Sequence, residues 1–264
     1  MTKTATLSGR HDKIEVCMEA KVTSRLVVLD WLRGLTLIAM AAYHTMWDLV
    51  YIFRVDIPWY RTNAGFLWQQ SICWTFILLS GFCFRLGKHP AKRGLLILAA
   101  PGVISMVSIV FMPQSAIRFG VLTLMGSCML LLIPLDRLLK TLNPYIGLLI
   151  SFLLFGITRY VPRGSLGFFS WELAELPHWV YRNLLTAWAG FPAADFASSD
   201  YFPLIPWLFL YLCGYFLWGI FQRNHWFLHL QKPSIPALEW IGRNSLLLYM
   251  LHQPVIYGVL LLIF

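Results

Sequence analysis

Seven stretches of this chain are long and apolar enough to cross a bilayer, which takes about 17–25 residues: 26–53, 66–86, 94–112, 117–135, 144–161, 203–221 and 244–264. In lipid, every backbone N–H and C=O must find its partner inside the protein. The expectation is therefore an all-α, polytopic membrane bundle of about seven transmembrane helices. Composition agrees that the solvent is lipid. The chain is 58% hydrophobic and 12% charged, against about 25% charged residues in a soluble domain. Residues 25–264 read as one transmembrane domain, with one sizeable extramembrane segment at 162–202.

Lysine and arginine orient the bundle. With the N-terminus in the cytoplasm, fourteen of the 21 Lys and Arg residues fall in cytoplasmic segments and six in outer ones, while Arg33 lies within a span. That excess predicts an N-inside, C-outside topology. The formal charge of +9 then reflects topology and anionic headgroups rather than nucleic acid. Residues 1–24 are polar, lack the apolar core of a signal peptide, and read as a cytoplasmic tail. The five cysteines show no paired spacing and read as free thiols. The expected location is multi-pass in a cell membrane, the bacterial plasma membrane.

The first span carries an unusual load. Asp30, Arg33, His44 and Asp48 are ionisable groups on an otherwise apolar helix, and such groups normally face a protein interior or wet cavity. Arg33 and His44 are eleven residues apart, so they differ by only about 20° around the axis. Asp30 precedes Arg33 by three and Asp48 follows His44 by four, which keeps all four near one face.

Three further segments stand out. Residues 85–93 (RLGKHPAKR) form a dense basic loop on the predicted cytoplasmic side. It is either a topology determinant or a docking point for a phosphorylated cofactor, through Lys88, Lys92 and Arg93. Residues 170–202 are aromatic and broken by prolines, which suits an outer element lying at the headgroup layer. Pro177 separates Glu175 from His178, so a metal site there is not expected.

The third segment runs from Ile241 to Pro254. Ser245 and His252 lie two turns apart on one face, and Pro254 is expected to kink the helix near His252. At 1.5 Å per residue, His44 lies about 15 Å beyond Gly34 and His252 about 10 Å beyond Ser245. The two histidines are thus expected to meet near mid-membrane, with Ser245 on the wall of a shared pocket.

At these residues the chain resembles a known group. Asp30-x-x-Arg33-Gly34 with Met40 and His44, the stretch Asp200-Tyr-Phe-Pro-Leu-x-Pro-Trp207, and Gly242-Arg-Asn-Ser-Leu with His252-Gln-Pro are similar to the DUF1624 family. That family is related to the catalytic region of heparan-alpha-glucosaminide N-acetyltransferase and to the wider transmembrane acyltransferase clan. The Arg33-to-His44 spacing also resembles the acyltransferase 3 signature. One departure is clear: the lysosomal enzyme's catalytic histidine follows its first span, and residues 54–65 here contain none.

The resemblance implies an acyl-CoA-dependent acyltransferase with no permanently bound cofactor. Acetyl-CoA or another acyl-CoA is its co-substrate, and the acceptor is a glycan or other cell-envelope molecule. On that reading Asp30, Arg33, Lys88, Lys92 and Arg93 hold the donor's phosphates. His44 is the base or acyl carrier and Asp48 fixes its tautomer, while Asn244, Ser245, His252 and Gln253 serve the oxyanion. A transporter or flippase of an anionic or lipid-linked solute, and a haem protein ligated by His44 and His252, are the alternatives.

Overall fold

The computed structural model describes residues 26–111, 116–168, 171–231 and 235–264; the tail assigned to residues 1–24 lies outside them. Each of the seven apolar stretches is a helix. In chain order the elements are α1 (Val27–Tyr51), α2 (Asn63–Phe82), α3 (Pro90–Phe111), α4 (Val121–Leu139) and α5 (Pro144–Ile157), then strands β1 (Ser165–Phe168) and β2 (Trp171–Glu175). There follow α6 (Leu184–Ala189), α7 (Leu204–Arg223), α8 (Pro236–Arg243) and α9 (Ser245–Ile263). Five helices among the described residues, α3, α4, α5 extended to Arg163, α7 and α9, are both long and apolar enough to cross a membrane. The polar residues of α1 set it apart from those five.

Local chemistry sets the ends. Thr62 caps α2 by accepting from the Ala64 N–H at 3.3 Å, and Asn143 caps α5 by accepting from the Tyr145 N–H at 3.0 Å. Pro90, Pro144 and Pro236 open their helices at the position where a missing N–H costs nothing. Helix α9 continues through Pro254 without a break. The start of α7 is irregular as anticipated: Ile205, between Pro203 and Pro206, has extended backbone angles (φ −95°, ψ 126°).

Helix α7 is the hub, packing against α5, α2 and α4. Its Trp207, Leu210, Tyr211, Tyr215 and Phe216 form the main core with Ile77 of α2, Leu124, Cys128, Met129 and Leu132 of α4, and Phe155 of α5. Where α2 crosses α7, a Cβ on Gly81 would overlap the Tyr211 carbonyl and one on Gly214 the Leu78 carbonyl. Small residues let the backbones touch, the usual device for helix packing in lipid. A second crossing of this kind joins α1 to the short α8: a Cβ on Gly34 would overlap the Leu238 carbonyl, and one on Gly242 the carbonyl of Asp30. Outward faces are apolar, with Leu96, Met106, Leu149 and Leu262 all more than half exposed. A surface that greasy marks contact with lipid.

The segment 162–202, expected to lie outside the membrane, is more structured than a loop among its described residues. It contains the β1–β2 hairpin, with Ser165 opposite Glu175, and the capped helix α6, where Asn183 and Thr186 bond reciprocally. Its end is tied to the bundle. Trp188 Nε1 donates to Ser127 Oγ at 3.0 Å and Asp200 accepts from the Val121 N–H that opens α4, while within the segment Tyr201 Oη donates to the Ala187 carbonyl at 2.6 Å.

Candidate functional site

Helix α1 carries its polar stripe through one unbroken run of 25 residues, so Arg33 and His44 remain three turns apart on one side. The two ends of the stripe meet different partners. At the N-terminal end, Arg33 donates to Asp30 at 2.8 Å and to the Sγ of Cys83 at 2.8 Å. Arg93 lies at the start of α3. Its guanidinium folds over Gly87, where a Cβ would strike it. Lys88 and Lys92 are exposed.

At the other end, His44 meets His252 of α9, with ring centroids 4.9 Å apart and planes inclined by 58°. The first and last long helices pack together here, as the depth argument requires. The Nδ1 of His252 lies against the Tyr249 carbonyl one turn back. A carbonyl can only accept, so Nδ1 carries the proton and Nε2 presents a lone pair.

Asp48 behaves differently from the expectation. It is fully buried, and its Oδ1 accepts from Gln253 Nε2 at 2.7 Å. Its partner is this amide rather than His44, so Asp48 does not fix the His44 tautomer by a direct bond. The reason is geometric: Gln253 follows His252 on the helix that lies against α1 and brings a donor to the carboxylate first.

Around this point, Asp48 Oδ2, Gln253 Oε1 and His252 Nε2 are buried with no hydrogen-bond partner among the described residues. All three are acceptors. Unmet buried acceptors are costly, at about 1–3 kcal/mol each, and groups of this kind cluster where a site waits for a donor. Tyr43 closes one side, with its ring 5.8 Å from His44 and 5.1 Å from Tyr60. Tyr60 is buried and donates to the Tyr43 carbonyl at 3.2 Å.

Ser245 is not brought to the pair. It opens α9, seven residues or about 10 Å of rise from His252, too far to bond the imidazole. Asn244, beside it, donates to the Trp240 carbonyl at 2.8 Å and so closes α8. The residue that sequence reasoning valued too little is Gln253, since nothing in its spacing announces a partner 205 positions earlier. The outer cluster in which Arg159 donates to Gln70 at 2.6 Å and lies over Trp207 at 4.4 Å was likewise not anticipated.

Among the described residues no group of three or more His, Cys, Asp or Glu could hold a metal ion. A cleft of about 250 Å³ lies at the end of the bundle near Arg85 and shares no lining residue with the histidine pair. A family model described as heparan-alpha-glucosaminide N-acetyltransferase, catalytic, matches residues 25–254. No curated protein and no solved structure matches the chain.

Proposed function

We propose, from the premise that the chain belongs to the heparan-alpha-glucosaminide N-acetyltransferase catalytic family, that it moves an acetyl group from cytosolic acetyl-CoA to an amine or hydroxyl of an outer glycan or envelope molecule. The family match over most of the chain makes it a multi-pass membrane acetyltransferase in the broad sense. Donor, acceptor, seven spans and the N-inside orientation are part of the proposal.

One observation supports it most directly: the three buried acceptors with no donor. An attacking amine or hydroxyl carries the N–H or O–H that these atoms lack. His252 Nε2, held in its acceptor tautomer by the Tyr249 carbonyl, takes the proton as the nucleophile adds to the thioester carbon. The C–S bond then breaks and the leaving thiolate takes up a proton. His44, in ring contact with His252, is placed to pass that proton on or to receive the acyl group first. Asp48 and Gln253 hold the acceptor's remaining hydrogens.

About 16 Å along the axis from His44, Arg33 bonds Asp30 and Cys83, and Arg93 opens α3. That separation lets a donor place its phosphates at the arginines and its thioester at the histidines. A guanidinium suits the first task because it bonds phosphate through two parallel N–H groups. Asp30 would hold Arg33 in position, and Lys88 and Lys92 would draw the anionic donor in by charge alone.

The test is turnover of radiolabelled acetyl-CoA onto amino sugars and envelope glycans by purified protein in nanodiscs. Arg33→Ala should raise the donor KM roughly 10- to 100-fold, the worth of a charge-assisted contact, and Arg33→Lys should rescue poorly. His44→Ala and His252→Ala should keep donor affinity, read by calorimetry, yet lose at least about 100-fold in kcat. Wild-type turnover by folded His44→Ala and His252→Ala together would sink the catalytic reading of the pair.

A further inference from the structure

The cleft at the opposite end of the molecule from the outer segment has a chemistry of its own. It encloses about 250 Å³ between the end of α4, the start of α5 and the last turns of α7, and its lining includes Arg85, Lys140 and Arg223. No lining residue is acidic. Asp136 of α4 touches two of the lining residues. It accepts from Tyr215 Oη at 2.7 Å and faces Arg85 Nε at 3.7 Å. One carboxylate already shared with a phenol cannot neutralise three cations, so the cleft stays cationic.

The cationic side chains are partly placed. Arg85 lies over the Tyr215 ring at 6.0 Å and Arg223 over the Tyr145 ring at 6.0 Å. Tyr145 is itself held by Asn224, whose amide donates to its hydroxyl at 2.7 Å. Besides Tyr215, Gly219 and the amide of Gln222, the lining is apolar, from Leu139, Leu142, Pro144 and Phe216. Immediately beyond Pro144, Tyr145, Ile146 and Leu149 of α5 are about half exposed and apolar, forming a greasy strip that leads away from the cationic mouth.

We propose that this cleft binds the phosphate of an anionic phospholipid, with Arg85, Lys140 and Arg223 as its ligands. Basic pockets between membrane helices on the cytoplasmic side hold such headgroups. A soluble phosphorylated molecule offers the same phosphate, and two features favour the lipid. The cleft is smaller than the roughly 300–1,000 Å³ that encloses a whole ligand of drug size, and its apolar strip continues along α5 where acyl chains would lie. The site is separate from the histidine pair and does not depend on the acetyltransferase reading.

The test is native mass spectrometry of the full chain, released from nanodiscs of phosphatidylglycerol or phosphatidylcholine, with melting temperature measured in both. Wild type should retain phosphatidylglycerol, should melt higher in it, and should lose the preference as salt rises, since exposed charge is screened. Arg85→Gln/Lys140→Gln/Arg223→Gln should bind phosphatidylglycerol at least tenfold more weakly and melt alike in both lipids. Lys140→Gln alone, at an exposed position, tests the same point if the triple variant fails to fold, with an expected two- to fivefold loss. Unchanged phosphatidylglycerol retention in these variants would overturn the proposal. So would displacement of the lipid by 3′,5′-adenosine diphosphate, which would make the cleft a site for soluble phosphates.

Discussion

Asp48 has no exposed surface, and one of its oxygens depends on a single amide from Gln253. That dependence is measurable. Gln253→Leu strips the bond and leaves a buried carboxylate unmet, which should destabilise the protein by about 1–3 kcal/mol or more. Asp48→Leu/Gln253→Leu removes both partners and should recover most of that loss, because two apolar groups of similar shape leave nothing unsatisfied. Thermal melts of the two single variants and the double give the coupling directly. Additive losses would mean the bond does not hold the helices together. Turnover should stay low in the double variant, since Asp48 is placed to hold the acceptor.

A second residue gives a pH signature outside the lipid. Burial pushes the Asp200 carboxyl up to about 6, against the opposing pull of the Val121 N–H. A carboxyl whose folded value lies above its unfolded value of about 3.9 binds more protons in the folded state. Its contribution to stability is therefore full below about pH 4 and is lost as pH rises through 6. Melting temperature should fall between pH 5 and 7 in wild type, and Asp200→Asn should flatten that part of the curve. A flat wild-type curve over this window would show the carboxyl is not buried in solution.

Among the elements, the crossing of α1 and α8 sets where Arg33 points. Gly34→Ala or Gly242→Ala places a methyl on a backbone carbonyl of the other helix, and a carbonyl cannot turn aside as a side-chain tip can. Each should cost about 1–3 kcal/mol and weaken donor binding by moving Arg33. Gly258, on α9, is the control: nothing lies within 4 Å of its Cβ position. Gly258→Ala should be neutral or stabilise by up to about 1 kcal/mol, the helix preference of alanine over glycine. Equal melting of all three variants would remove the crossing from the argument.

The seven long helices were legible as long apolar runs, and their observed ends lie close to the ends of those runs; five of them, among the described residues, are long and apolar enough to cross a membrane. The short elements were not. The hairpin at Ser165–Glu175 is two strands of four and five residues, below the length at which alternation is distinctive. Helix α8 has eight residues and no apolar run to announce it. At the site, the meeting of His44 and His252 followed from counting rise along two helices. The bond from Gln253 to Asp48 did not, because a difference of one residue in register decides which of two neighbours an amide reaches.

For the whole molecule the open quantity is orientation. On the proposed topology residues 85–93 would face the cytoplasm and 162–202 the outside. Lys88 and Ala197 are both exposed, so a cysteine at either, on a background with Cys83→Ser to keep an acceptor for Arg33, should react with an impermeant maleimide. They should label from opposite sides of intact cells, Ala197→Cys from outside. Labelling of both from one side would reverse the route drawn for the donor.

The Asp48–Gln253 bond also has a meaning in time. It joins residues 205 positions apart, and at about 5–20 residues per second roughly 10–40 s pass between synthesis of the two. Throughout that interval α1 carries its buried aspartate without the amide that will meet it. The site around Asp48 therefore closes only after α9 has been made, however early α1 takes its place.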